Sequence, residues 1–156
     1  MKCDPPDLPC ILVVDDDPDL MAFLFSVLID EGFSIMAASH GQQALDLLER
    51  GLRPHVILID LLLPRVSGVD VLTHIRADRE LRIIPRIVMT GSSQRAGIVA
   101  DAVFAKPFDH DELVRAIRRL IEPEQLTVFA GSRRASADDR SPSRKNGSRR
   151  RPQSPR

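Results

Sequence analysis

From Ile11 onward, short apolar runs alternate with longer segments in which apolar side chains recur at helical spacing. Residues 11–14 form an apolar, partly β-branched run of the kind buried on both faces of a sheet. Residues 18–31 place Leu20, Leu24, Val27 and Leu28 on one helical face, and Gly32 stops the pattern. Residues 34–38 predict a second strand, and residues 42–50 a helix ended by Gly51. A third strand over 56–59 runs into Asp60, and a helix is predicted over 69–77. A fourth strand over 86–89 ends at Thr90, and a weak fifth over 102–105 precedes Lys106. Residues 109–121 give the clearest helix, with Leu113, Ala116, Ile117, Leu120 and Ile121 on one face.

Strand and helix alternating five times predict an α/β fold: a five-stranded parallel sheet, doubly wound in the flavodoxin-like manner. The fourth helix is predicted to be short. Only 15 residues separate Thr90 from Lys106, and the fifth strand leaves 11 of them for two loops and a helix. That is room for about two turns at most, weakened by Gly91 and Gly97. In such sheets ligands bind beyond the carboxyl ends of the strands. Asp15 and Asp16, Asp60, Thr90 and Lys106 stand at those ends.

Composition changes this picture at the termini. The 156 residues carry a formal net charge of zero, yet residues 1–122 hold 13 Lys+Arg against 19 Asp+Glu. Residues 123–156 hold 9 against 3, so an acidic body carries a basic tail. That tail is rich in Arg, Ser and Pro and is expected to be disordered, with Leu126, Val128 and Phe129 able to pack briefly on the body. The expected organisation is an extension over residues 1–8, one domain over 9–122 and the tail over 123–156. Cys3 and Cys10 match neither a zinc signature nor a CxxC pair; a disulfide between them is conceivable, but free thiols in a reducing compartment are expected. The stretch MKCDPPDLPC lacks a signal peptide's apolar core, and no segment reaches the length of a membrane helix; a cytoplasmic protein with no membrane association is expected.

Clustered carboxylates need a cation to relieve their repulsion, and a few hard oxygen ligands suit Mg²⁺. A carboxylate there is a nucleophile towards phosphorus. Lysine and hydroxyl groups on neighbouring strand ends suit the charge on phosphoryl oxygens. Asp17, ahead of Pro18, is assigned instead to capping the first helix. The four histidines, His40, His55, His74 and His110, are scattered and are expected on the surface or in loops.

The motifs LVVDDDP, ILIDLLLPRVSG, VMTG and FAKPF, in that order over roughly residues 9–122, resemble the receiver domain of bacterial two-component response regulators. The resemblance implies a phospho-acceptor rather than an enzyme, with Asp60 taking the phosphoryl group from a sensor histidine kinase or histidine phosphotransfer protein. It implies Mg²⁺ held by Asp16 and Asp60, by Asp15 largely through water, and by the backbone carbonyl of Leu62. Lys106 would pair with phosphoryl oxygens, Thr90 would hydrogen-bond one of them, and Lys106–Pro107 would be cis. Output is expected through a downstream protein or a phosphorelay, from a stand-alone single-domain chain.

Two departures stand out. The family's usual aromatic three residues before the lysine is Val103 here, with Phe104 next to it, and the fourth helix is truncated. Leu62 and Ser92 stand where, in the family, residues flank the phosphoryl group. Competing functions are weaker. A haloacid-dehalogenase-like aspartyl-phosphate hydrolase would explain the DxD within Asp15–Asp17, but Pro18 is awkward there and the acid ending the third strand would go unexplained. Nine basic tail residues would give weak, non-specific nucleic-acid contact. No glycine-rich phosphate loop is present.

Overall fold

The computed structural model describes residues 7–91 and 97–121. The expectations for Cys3, Ser92 and residues 123–156, including Leu126, Val128 and Phe129, fall outside the described residues. Its elements are β1 (Cys10–Val14), α1 (Pro18–Asp30), β2 (Ser34–Ala38), α2 (Gly41–Glu49), β3 (Val56–Asp60), α3 (Gly68–Ala77), β4 (Arg86–Thr90), β5 (Ala102–Ala105) and α4 (His110–Leu120). A single 3-10 turn at Leu81–Ile83 joins α3 to β4. All neighbouring strands pair in parallel, in the order β2-β1-β3-β4-β5.

The two-residue period of a strand explains why these runs lack polar alternation. Leu12, Val14, Ile57, Ile59 and Val88 face one core with Ala44, Leu47 and Leu48 of α2 and Val71, Leu72 and Ile75 of α3. The intervening Ile11, Val13, Val56, Leu58, Ile87 and Met89 face a second core with Leu24 and Leu28 of α1 and Leu113, Val114 and Ile117 of α4. Each such fully buried aliphatic side chain contributes about 1.5–3 kcal/mol. No position along β1 or β3 is exposed, so charge can enter these strands only at an end.

Local chemistry sets those ends. Asp17 is the N-cap of α1: its Oδ1 accepts from the backbone N–H groups of Asp19 (2.9 Å) and Leu20 (3.2 Å), as the sequence implied. Pro18 opens the helix, and Gly32 just beyond it takes a φ of 83°. Ser67 and Asp70 form a reciprocal capping box on α3. The described residues of the β4–β5 connection, Gly91 and 97–101, contain no helix.

One expectation is corrected and another is refined. Cys10 is disulfide-bonded, so it is not the free thiol expected for a reducing compartment; the sequence's only other cysteine, Cys3, lies outside the described residues. The histidines do lie on surfaces and in loops, but two of them do structural work. The Nδ1 of His40 accepts from the Gln43 N–H at the start of α2. The Nδ1 of His55, half-buried before β3, accepts from the Cys10 N–H at 2.9 Å, while the His55 N–H donates to the Cys10 carbonyl.

Burial holds His55 below its ordinary value of 6.5. The folded protein therefore binds fewer protons there than the unfolded chain. The stability that neutral His55 confers is complete above 6.5 and is lost as the pH falls below that value towards the lowered folded one. Between about pH 8 and about pH 5, the thermal midpoint of the wild type should fall further than that of His55→Gln, whose amide oxygen can still accept. Separately, Asp17→Ala should cost about 1 kcal/mol in a urea unfolding titration.

Candidate functional site

Backbone pairing carries four of the candidate side chains to one edge of the sheet. The Asp15 N–H donates to Ala38 O (3.1 Å), continuing the β1–β2 ladder, and the Lys106 N–H donates to Thr90 O (2.9 Å), continuing the β4–β5 ladder. Asp60 is the last residue of β3 and Thr90 the last of β4. Asp15, Asp60 and Thr90 are buried, whereas Asp16 is exposed.

Lys106 crosses this crevice. Its Nζ lies 2.6 Å from Asp15 Oδ2 and 2.6 Å from Asp60 Oδ2. The other oxygens are held by backbone: Asp15 Oδ1 accepts from Asp17 N–H, and Asp60 Oδ1 accepts from Leu62 N–H, each at 3.0 Å. Burial alone would push the lysine pKa down, but the hydrogen bonds and charges of Asp15 and Asp60 outweigh it. The result is a pKa above the ordinary 10.5, so the ammonium stays charged.

Asp15, Asp16 and Asp60 can each present an oxygen such that all three atoms lie within 4.8 Å of one another. Three carboxylates and one ammonium sum to −2, and among the described residues no side chain pairs with Asp16. An all-oxygen donor set with unbalanced negative charge fits a hard divalent cation of the Mg²⁺ kind.

The loop after Asp60 is tightly seated. Gly68 N–H donates to Leu61 O (3.0 Å), and a Cβ on Gly68 would collide with the Asp60 carbonyl and come 2.7 Å from Leu61 Cα. Only glycine lets α3 start so close to Asp60. Arg65 takes a φ of 68°, a left-handed turn that is uncommon outside glycine. Leu62 is 64% exposed at the rim. The Lys106–Pro107 bond is cis, as the resemblance implied. Val103 is exposed on β5, while Phe104 packs inward with Phe108, so the two neighbours occupy opposite faces.

Sequence order alone thus brought together Asp15, Asp16, Asp60, Thr90 and Lys106. What it missed was the bridging role of Lys106 and the close approach of Gly68, whose sole sequence signal was its place at a helix start.

A doubly wound parallel sheet with an acidic crevice at the carboxyl ends of its central strands defines the general class. Residues 11–118 match the family model described as response regulator receiver domain, and the chain belongs to that family. It is 40% identical over 114 residues to the DNA-binding response regulator MtrA of Mycolicibacterium smegmatis, covering 69% of this chain and 48% of that protein. It is 36% identical over 117 residues to the transcriptional regulatory protein CpxR of Escherichia coli K12, covering 71% of this chain and 48% of that one. The chain therefore spans about half the length of the curated relatives it matches. Among solved structures, it resembles the receiver domain of the sensor histidine kinase PA1611 from Pseudomonas aeruginosa, with magnesium in its active-site cleft. The TM-score is 0.68 at 29% identity, over 72% of this chain and 97% of that one. The response regulator TrrA of Thermotoga maritima, in complex with Mg²⁺–BeF, gives a TM-score of 0.65 at 30% identity over 72% and 99%. No helix among the described residues is long and apolar enough to cross a membrane.

Removing the ammonium would leave two buried carboxylates facing each other. Lys106→Met should lower stability by about 1–3 kcal/mol in magnesium-free buffer. Added Mg²⁺ should raise its thermal midpoint by more than it raises that of the wild type.

Proposed function

We propose that this chain accepts a phosphoryl group on Asp60 from a phosphohistidine donor, a sensor histidine kinase or a histidine phosphotransfer protein. The observation that carries this reading is Lys106 Nζ, 2.6 Å from both Asp15 and Asp60 at the mouth of the sheet. An Asp60 carboxylate oxygen attacks phosphorus, the donor's P–N bond breaks, and its electron pair returns to the imidazole ring. The new bond is an acyl phosphate.

Each neighbouring group has a task in that transfer. Leu62 N–H, on Asp60 Oδ1, fixes the carboxylate so that its other oxygen is presented to the incoming phosphorus. Lys106 moves its charge from the carboxylates to the phosphoryl oxygens, and the Thr90 hydroxyl, at the end of the adjoining strand, donates to one of them. Asp16 and Asp60, with Asp15 through water and the Leu62 carbonyl, would hold Mg²⁺, which when bound supplies neutralising charge at the phosphoryl oxygens. The Mg²⁺ named for the two similar receiver structures supports that assignment.

Phosphorylation adds charge at the one edge where the sheet already concentrates it, and so biases the conformational balance of the surrounding loops. Output then passes by contact with a protein partner or by onward transfer in a relay. The names of the curated relatives attach DNA binding and transcriptional regulation to proteins of which this chain matches about half, which is consistent with a receiver whose phosphorylation state is read by another module.

Incubation with acetyl phosphate and Mg²⁺, followed by intact-mass measurement, tests the acceptor. The wild type should gain one phosphoryl group, and Asp60→Asn or excess chelator should abolish the gain. Labelling of Asp60→Asn equal to the wild type, or none in either protein, would sink the proposal.

A further inference from the structure

Building on Asp60 as acceptor, we infer that Phe104 and Phe108 form a brace that positions Lys106 for phosphoryl transfer. The two rings lie two residues either side of the lysine. They meet edge to face, centroids 6.1 Å apart and planes inclined at 70°, an attractive aromatic geometry. Both pack against the core shared by α1 and α4. Phe104 is anchored further by the sheet, where it lies opposite Met89 of β4.

The chain therefore leaves the sheet after Ala105, carries Lys106 over the crevice, and re-enters the same core at Phe108. The ring contact closes that excursion. Lysine presents a point charge on a flexible four-carbon stem, so its aim depends on how well its backbone is held. In the resting protein, Asp15 and Asp60 also hold the ammonium. During transfer Asp60 becomes an acyl phosphate and its carboxylate can no longer serve as a full counter-charge. Its hold on the lysine passes to the phosphoryl oxygens, which are not yet fixed while the transfer is under way, so Asp15 and the brace set the lysine's aim in that interval. The opposite face of β5 cannot substitute, because Val103 is exposed and carries no ring.

A pair that only fills the core and a pair that aims Lys106 differ in what their loss does. Core loosening disturbs the whole crevice, including the carboxylates. Loss of aim lowers the rate with cation binding intact. The experiment measures acetyl phosphate labelling of the full chain against Mg²⁺ concentration. Phe104→Leu and Phe108→Leu should each lower the maximal rate about tenfold, as a misplaced catalytic group does. Their Mg²⁺ half-saturation should stay within about twofold of the wild type, since the carboxylates are untouched. Because the rings act as one unit, the double variant should be no slower than the slower single one. Phe108→Tyr, which keeps the ring, should return the rate to within about twofold of the wild type.

Wild-type maximal rates in the leucine variants would overturn the brace, as would half-saturation rising in step with the loss of rate. Independent multiplication of the two effects in the double variant would do the same. Should a leucine variant lose its thermal transition, Phe108→Met keeps the apolar bulk and carries the same comparison. No labelling of the wild-type chain would overturn the acceptor reading and this inference together. A labelled wild type with unaffected variants would remove the brace alone.

Discussion

Three carboxylates gathered at one edge of an apolar sheet repel one another, and everything at the functional end is arranged around that repulsion. Asp15 and Asp60 are buried and share the ammonium of Lys106, while Asp16 stays in contact with water. A single positive charge does not balance three negative ones. The residual negative charge gives a divalent cation a reason to bind where a neutral crevice would offer none. The same imbalance makes the crevice sensitive to its occupant. A group carrying new negative charge changes which partners Lys106 can keep.

The rest of the fold holds that edge in place. Strands buried on both faces have no freedom to slip register, because a shift of one residue would exchange the α1–α4 core with the α2–α3 core. Side chains at the carboxyl ends of β1, β3 and β4 are therefore located by packing far from the crevice. This rigid frame is what allows Lys106, 91 residues from Asp15 in sequence, to reach it at 2.6 Å.

Much of this was legible in the chain because the apolar runs are long enough to mark buried strands and end abruptly in charge. Asp15, Asp16, Asp60, Thr90 and Lys106 stood out for being polar where a fold needs nothing polar. The 3-10 turn at Leu81–Ile83 was not legible: three residues carry no periodicity, and its support comes from Asp78, whose Oδ1 accepts from Glu80 and Leu81 N–H groups. The start of α2 at Gly41 depends on His40 as a cap, a role histidine seldom signals. The bond from Cys10 N–H to His55 joins residues 45 apart, and no local pattern encodes it. The expectation of a free Cys10 thiol rested on compartment rather than on geometry, and the disulfide contradicts it.

The loop over residues 61–67 shows how closely backbone and chemistry are joined here. At one end the absent side chain of Gly68 makes room for the Asp60 carbonyl. Near the other, Gly41 makes room for the Val66 carbonyl, with Val71 Cγ2 only 2.9 Å from where its Cβ would be. Two helix starts thus grip the loop from both sides. A residue inserted at either gripped end would press on Asp60 or on the helix the loop leads into, whereas Leu62, Pro64 and Arg65 face solvent. The spacing between its two gripped ends is as much a part of the site as its charges, and the solvent-facing middle is where a designer has freedom to vary it.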